Sequence, residues 1–366
     1  MTLHDKRTRN HSLDAARGIL MILGIVLHTA NVYAVGSNWL ITDPGKHPVF
    51  GVLVSAIHVF RMPTFFWISG YFCALTFERG GSKSLLTKRL PRLAVPLLAT
   101  WLTFNVLQEI VVAAARGYDI RTAVSDGVPL FHLWFLLDLL IYVSFAALVL
   151  PWLSRVAPSS GKSWDIPLPL LLVALSLATM LVSASVRATG VAYVAPFGMT
   201  SLYRLAGNMP YFAGGILMYA LPDVRKRFLA TPILLLLPAI PLALHAIPFE
   251  KGSGLVLGEF ALLVKVLMTW VCIGALLNGF HTVFFKDSSL TRFLSETSYS
   301  IFLFHHLFVV SLGIAFVDFN LTPWIKFLTI CTITLIATTS LHTLLVRRIG
   351  VLGFAFNGKS HLMQKT

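Results

Sequence analysis

LDAARGILMILGIVLHTANVYAV, residues 13–35, is about as long as the roughly 20 residues a helix needs to cross a hydrocarbon layer, yet it carries ionisable groups inside. Arg17 and His28 are eleven residues apart. At about 100° per residue they fall within about 20° of each other on a helix, about 16 Å apart in rise, so both look into one interior. Asp14, three residues before Arg17, is spaced to pair with it. Taken alone, this helix is equally satisfied by a snorkelling arginine and a polar packing histidine, so its meaning depends on the rest of the chain.

Composition sets the class. The 366 residues are 56% hydrophobic and 12% charged, with mean hydropathy +0.78, which describes an all-α polytopic integral membrane protein and excludes an ordinary soluble enzyme. The first apolar stretch is too long for a signal-peptide core and runs into a polar loop without a small-residue cleavage pattern, so it is expected to stay as an anchor. Apolar runs at 13–35, 51–77, 93–113, 131–151, 166–186, 201–220, 229–248, 255–279, 297–317 and 323–346 predict ten transmembrane helices. The run at 201–220 is the most polar, with Arg204, Asn208 and Pro210 inside it.

A formal charge of +14 raises nucleic acid as a partner, but the distribution of the cations points to topology instead. With the ten runs alternating in direction, one side receives 19 Lys and Arg, from Lys6, Arg7 and Arg9 through Lys83, Lys88, Arg89, Arg92 and Lys162 to Lys359 and Lys365. The other receives five: Lys46, Arg116, Arg121, Arg187 and Lys251. The positive-inside rule then predicts both termini in the cytoplasm, with short tails at 1–12 and 347–366 flanking a single transmembrane domain over 1–366. Cys73, Cys272 and Cys331 lie in apolar runs, odd in number, and read as small buried hydrophobes without a disulfide framework or metal spacing.

The second run reads HVFRMPTFFWISGYF, residues 58–72, and places His58 and Arg61 three apart at about the depth of His28. A cation that deep is costly without a functional partner. Pro63 is spaced to kink the helix and Ser69-Gly70 to admit a close neighbour. ERGGSKSLLTKRLPRLAVP, residues 78–96, reads as a loop that gathers cations at the mouth of the third run, where Arg89 and Arg92 share a face suited to phosphate. A plain positive-inside cluster is the competing reading. Glu109, His132, Trp134, Asp138 and Arg204 all fall near the outer ends of their runs, and together they suggest a polar cavity open to the outside. SYSIFLFHH, residues 298–306, puts His305 and His306 near mid-membrane; neighbours on a helix point about 100° apart, so only one of them need face the interior. Neither has a second ligand at zinc-like spacing, and no metal is expected.

LDAARGILMILGIVLH, FRMPTFFWISGYF, KRLPRLAVP, HLWFLLDLL and SYSIFLFHH, in this order and spacing, together resemble the membrane acyltransferase family 3, and the resemblance runs from end to end of the chain. It implies a ten-helix membrane fold in a bacterial inner membrane, an acyl-CoA donor approached from the cytoplasm, and transfer to a hydroxyl of an extracytoplasmic carbohydrate. The flavour of FRMPTFFWISGYF points to the branch associated with succinylation of periplasmic glucans, which implies succinyl-CoA as donor. The family's paired arginine and histidine on the first helix map onto Arg17 and His28, and its basic pair before the third helix onto Arg89 and Arg92. The esterase-like extracytoplasmic domain that some relatives carry is not in this sequence.

The chemistry fits that layout. Transfer to a hydroxyl needs a base, and neutral His28 suits physiological pH. Arg89 and Arg92 would take the phosphates of CoA, Arg17 would steady the donor or the helix, and Arg61 would meet the oxyanion. Arg204 is the expected partner of a succinyl carboxylate, with His58, Trp134, Asp138 and His305 lining the substrate site. The partners implied are acyl-CoA, a glycan acceptor and membrane lipid, with no permanently bound cofactor. The other class open to this sequence is a proton-coupled transporter or exporter of a polyol or glycan, in which the same groups would form a proton relay. Release of CoA from acyl-CoA separates the two.

Overall fold

A computed structural model of the protein describes residues 11–156, 165–190, 200–252, 254–284, 286 and 288–358. Among them every regular element is helical. The tail positions Lys6, Arg7, Arg9, Lys359 and Lys365 that enter the charge argument lie outside the described residues, as does Lys162.

Each predicted apolar run lies on a helix. The first forms α1 (His11–Tyr33) and the second α2 (Pro48–Ser84). The third spans α3 (Leu90–Thr100) and α4 (Val106–Arg116), with a short α5 (Ile120–Ser125) after it. Then follow α6 (Trp134–Val156), α7 (Leu168–Ala188), α8 (Leu202–Ala220), the short α9 (Pro222–Phe228) and α10 (Leu236–Gly252). The chain closes with α11 (Leu255–Val283), α12 (Ser289–Phe316), α13 (Pro323–Leu341) and α14 (Gly350–Asn357). Among the described residues, eight helical stretches are long and apolar enough to cross a membrane. The run at 201–220 is not one of the eight, since α8 keeps Arg204, Asn208 and Pro210 within 19 residues.

The ends of these helices follow local chemistry. His47 accepts the Val49 N–H ahead of Pro48 at the start of α2, Ser288 and Thr291 form a reciprocal capping box at α12, and Thr322 accepts from Ile325 ahead of Pro323 at α13. The predicted loop at 78–96 is helical instead. Runs 51–77 and 93–113 belong to one 69-residue helical stretch, Pro48–Arg116, which turns only at Gly80 and Gly81. Gly81 takes φ +60°, open to glycine, and the leucines and cations that follow are good helix formers, so the chain resumes through a wide π-type turn at 85–89. Pro63 passes through α2 without a break in backbone angles.

The core is built on α1, α2, α8 and α12. α1 packs against α12 and α2, and α2 against α8. The α2–α8 crossing is backbone on backbone: a Cβ on Gly70 would collide with the Phe212 carbonyl, and one on Gly215 with the Trp67 carbonyl. Without water to drive helices together in lipid, such close approach is the main attraction available. It draws α2 inward and aims Arg61 at α1.

Candidate active site

Four imidazoles converge beside α1. His28 comes from α1, His132 from the turn 131–133 ahead of α6, and His305 and His306 from adjacent positions of α12. The His28 ring lies 5.3 Å from His305 and 4.8 Å from His306, and His132 lies 5.0 and 4.8 Å from the same two rings. Both members of the α12 pair therefore face inward, where one was the expectation. Their own rings stand 6.2 Å apart, so both flank one side of His28, which the 100° step between neighbours permits when the cluster lies on the bisector.

Arg61 stands at the edge of this cluster, 5% exposed. Its Nε donates to the Leu20 carbonyl of α1 at 2.9 Å and its Nη1 to Met62 Sδ at 3.8 Å. No ion pair among the described residues includes it. Its Nη2 fills the notch left by Gly24, where a Cβ would collide with the guanidinium and stand 3.3 Å from His305 Nε2. Sequence reasoning passed over Gly24; a glycine one turn before His28 was the available signal.

Hydrogen-bond partners fix which nitrogens face the site. His305 Nδ1 lies 2.9 and 2.8 Å from the Ile301 and Phe302 carbonyls, so its N–H belongs there and Nε2, buried and without a hydrogen-bond partner, presents a lone pair toward Arg61. His306 Nδ1 lies 2.7 Å from Gln108 Oε1, a residue that the sequence reading did not single out. His28 Nδ1 is likewise buried and unpartnered.

At the basic end of the bundle a cavity of about 2560 Å³ is lined by Arg17, Arg89, Arg92, Tyr71 and Tyr299 and reaches inward to Met21, Phe65 and Phe135. Met21 adjoins Leu20 in the chain, and the Leu20 carbonyl accepts from Arg61. Arg17 pairs with Asp14 at 3.6 Å, as the i, i+3 spacing predicts. Arg89 is half-buried and donates to the Ser69 carbonyl at 2.8 Å; Arg92 is exposed and its carbonyl accepts from Tyr299 at 2.9 Å.

The other sequence candidates separate from this cluster. Arg204 lies over the Trp134 ring at 4.5 Å, and its Nε is 3.6 Å from Asp138 Oδ2 and 3.1 Å from Thr200 Oγ1. Thr200 in turn donates to Asp138 Oδ1 at 2.8 Å. Trp134, Asp138 and Arg204 thus do meet, but as an internally neutralised group, and Asp138 is the carboxylate that Arg204 already faces. His58 is exposed on α2, one turn before buried Arg61. Cys73 and Cys272 are buried and Cys331 partly so, all as free thiols. Among the described residues no three His, Cys, Asp or Glu side chains are arranged to hold a metal.

Acylation of a hydroxyl requires a proton acceptor and a cation at the same carbonyl, and a multi-pass bundle with imidazoles around a buried guanidinium offers both. The chain belongs to the acyltransferase domain family, whose model matches residues 10–343, and is a membrane acyltransferase. It is similar along its length to Glucans biosynthesis protein C of Salmonella paratyphi B (strain ATCC BAA-1250 / SPB7), 26% identical over 380 residues that cover 98% of this chain and 97% of that one. The same protein of Salmonella agona (strain SL483) is 26% identical over 377 residues, with the same coverage. No solved structure matches the chain.

Proposed function

We propose that this protein transfers a succinyl group from cytoplasmic succinyl-CoA to a hydroxyl of an extracytoplasmic carbohydrate, a glucan being the acceptor suggested by the relatives' name. The observation that carries this reading is Arg61: a buried cation with no carboxylate partner among the described residues, bonded to the Leu20 carbonyl next to cavity-lining Met21 and adjoining His305 at the Gly24 notch. His28 takes the proton of the acceptor hydroxyl as its oxygen attacks the thioester carbonyl. A C–O bond forms, and the carbonyl oxygen gains charge facing Arg61. Collapse then breaks the C–S bond, and the CoA thiolate leaves with the proton that His28 carried. A succinyl carboxylate at Arg204 would compete with Asp138, which Arg204 already faces, while Arg61 stays with the carbonyl oxygen.

Incubation of purified protein with an acyl-CoA panel and a glucose oligosaccharide tests this, with CoA release and the mass of the product as readouts. Release of CoA only with succinyl-CoA supports the reading; release only with acetyl-CoA corrects the acyl group; and no release with any donor overturns it. Arg89 and Arg92 are assigned to the CoA phosphates. Their joint replacement by Gln is expected to raise the acyl-CoA concentration for half-maximal rate by about 10- to 100-fold, since each charge-assisted hydrogen bond contributes about 1.5–3 kcal/mol in burial and less when exposed.

The proposal includes ten spans over a single domain, 1–366, in the bacterial inner membrane with both termini cytoplasmic. Cysteine placed at Ser37 or Ser125 is then expected to react with an impermeant maleimide applied to intact spheroplasts. Protection of both positions would overturn that orientation.

A further inference from the structure

We infer that Trp39, Phe131, His306 and Gln108 form a subsite for an uncharged sugar ring, the acceptor's own, on the side of His28 away from the basic cavity. The inference rests on the acyl-transfer reading for its role, and on four independent features for its existence.

The first is an aromatic wall. Trp39 stacks on His28 at 5.8 Å between centroids and meets His306 edge-on at 5.4 Å, while Phe131 stacks on His306 at 5.7 Å. The faces of a pyranose are C–H surfaces that pack on aromatic rings, and its rim is hydroxyl. The second is an unspent hydrogen-bond donor. Gln108 is 1% exposed; its Oε1 is engaged by His306, and its Nε2 has no hydrogen-bond partner. A buried amide N–H left without a partner is destabilising, and a ligand oxygen would relieve it.

The third feature is that the wall is held in place. The segment carrying Trp39 is fixed by a buried ion pair between Asp43 and Lys326 at 2.8 Å, by Arg116 donating to the Leu40 carbonyl at 2.6 Å, and by the backbone bond from Asp43 to Val32 at 3.0 Å. On the opposite wall, Phe131 has φ +45°, the one non-glycine positive φ among the described residues. A bulky side chain takes that conformation only where its surroundings enforce it. They do so here. Trp101 and Asn105, in a wide turn at 101–105, donate to the carbonyls of Val128, Pro129 and Leu130, tying the Phe131 turn to the helix that carries Gln108. Wide turns of this kind recur at functional positions because they shift the helix phase that follows.

The fourth feature concerns charge. Asp43 and Lys326 neutralise each other, Arg116 is turned to a backbone carbonyl, and the four wall residues bear no fixed charge. The wall itself supplies no carboxylate or cation, and the nearby Arg116 is held on the Leu40 carbonyl, so a neutral polyhydroxylated ring needs no counter-charge from it.

The test is calorimetric titration of the full-length protein in lipid nanodiscs with a glucose trisaccharide, in the absence of any acyl-CoA. Saturable binding is expected, weakened about tenfold or more in Trp39→Leu and in Gln108→Leu, and kept within about threefold in Trp39→Phe, which retains a ring face. Gln108→Leu leaves the Trp39 segment and its anchors untouched, so it carries the test if Trp39→Leu does not fold. Absence of binding to the wild type, or wild-type affinity in both Leu variants, would overturn the subsite. Binding that follows the expected pattern in a protein that releases no CoA would support the subsite and remove the acyl-transfer reading instead.

Discussion

His28→Ala is expected to lower acyl transfer by about 10²- to 10⁴-fold, the usual contribution of a positioned general base, while the protein remains folded and membrane-inserted. Chromatographic homogeneity with wild-type melting, alongside the rate, is the measurement. The expectation rests on position. His28 touches His305, His306 and Trp39, and so lies where the cation of Arg61 and the proposed sugar wall adjoin. Its Nδ1 is buried without a hydrogen-bond partner, so the ring has a nitrogen available to a hydroxyl. His305 is the informative control. Its Nε2 is equally unpartnered but adjoins the Gly24 notch that Arg61 Nη2 fills, so it stands beside the guanidinium while the His28 ring stands beside Trp39. Wild-type turnover in His28→Ala, with loss in His305→Ala, would exchange the two roles.

The helices were legible because lipid imposes them: a chain of this hydropathy satisfies its backbone internally, and the apolar runs mark where. Arg17, His28 and Arg61 stood out in the sequence for the complementary reason, since ionisable groups inside such runs are expensive and demand an explanation. The missing part concerns partners. Sequence placed Asp138 and Arg204 in one outer layer but could not show that they neutralise each other, because the i, i+3 and i, i+4 rules reach only along one helix. Gln108 and Gly24 escaped notice for a related reason. A glutamine in an apolar helix acquires meaning only from the His306 it meets 198 residues away, and a glycine only from the guanidinium that fills its place. His58 and Arg61 share a helix face at i, i+3 spacing, but that face turns from interior to surface within its width, so Arg61 is buried while His58 is exposed.

Replacing Arg61 with Met is expected to cost about 10²- to 10³-fold in transfer, comparable to removal of one oxyanion donor, yet to leave thermal stability unchanged or higher. The two halves of this expectation have one cause. A guanidinium that is 5% exposed has given up most of its hydration, and no carboxylate among the described residues compensates it. What it receives is a carbonyl from Leu20 and a thioether from Met62. A hydrogen bond from a charged donor contributes about 1.5–3 kcal/mol, whereas desolvating an ion costs several kcal/mol even after relaxation, so the isolated cation weighs against folding. Methionine has nearly the same reach, carries no charge and adapts to irregular space, and the Leu20 carbonyl that loses its bond sits inside α1, where the helix itself supplies a donor. The proposed acyl transfer would give the Arg61 cation its counter-anion in the tetrahedral oxyanion. Lysine separates charge from shape: Arg61→Lys keeps the cation but loses the fork that reaches Leu20 and the Gly24 notch together, so its rate should fall between the wild type and Arg61→Met. A lowered melting temperature in Arg61→Met, with transfer reduced only in proportion to the protein that remains folded, would instead make Arg61 a structural tie between α1 and α2.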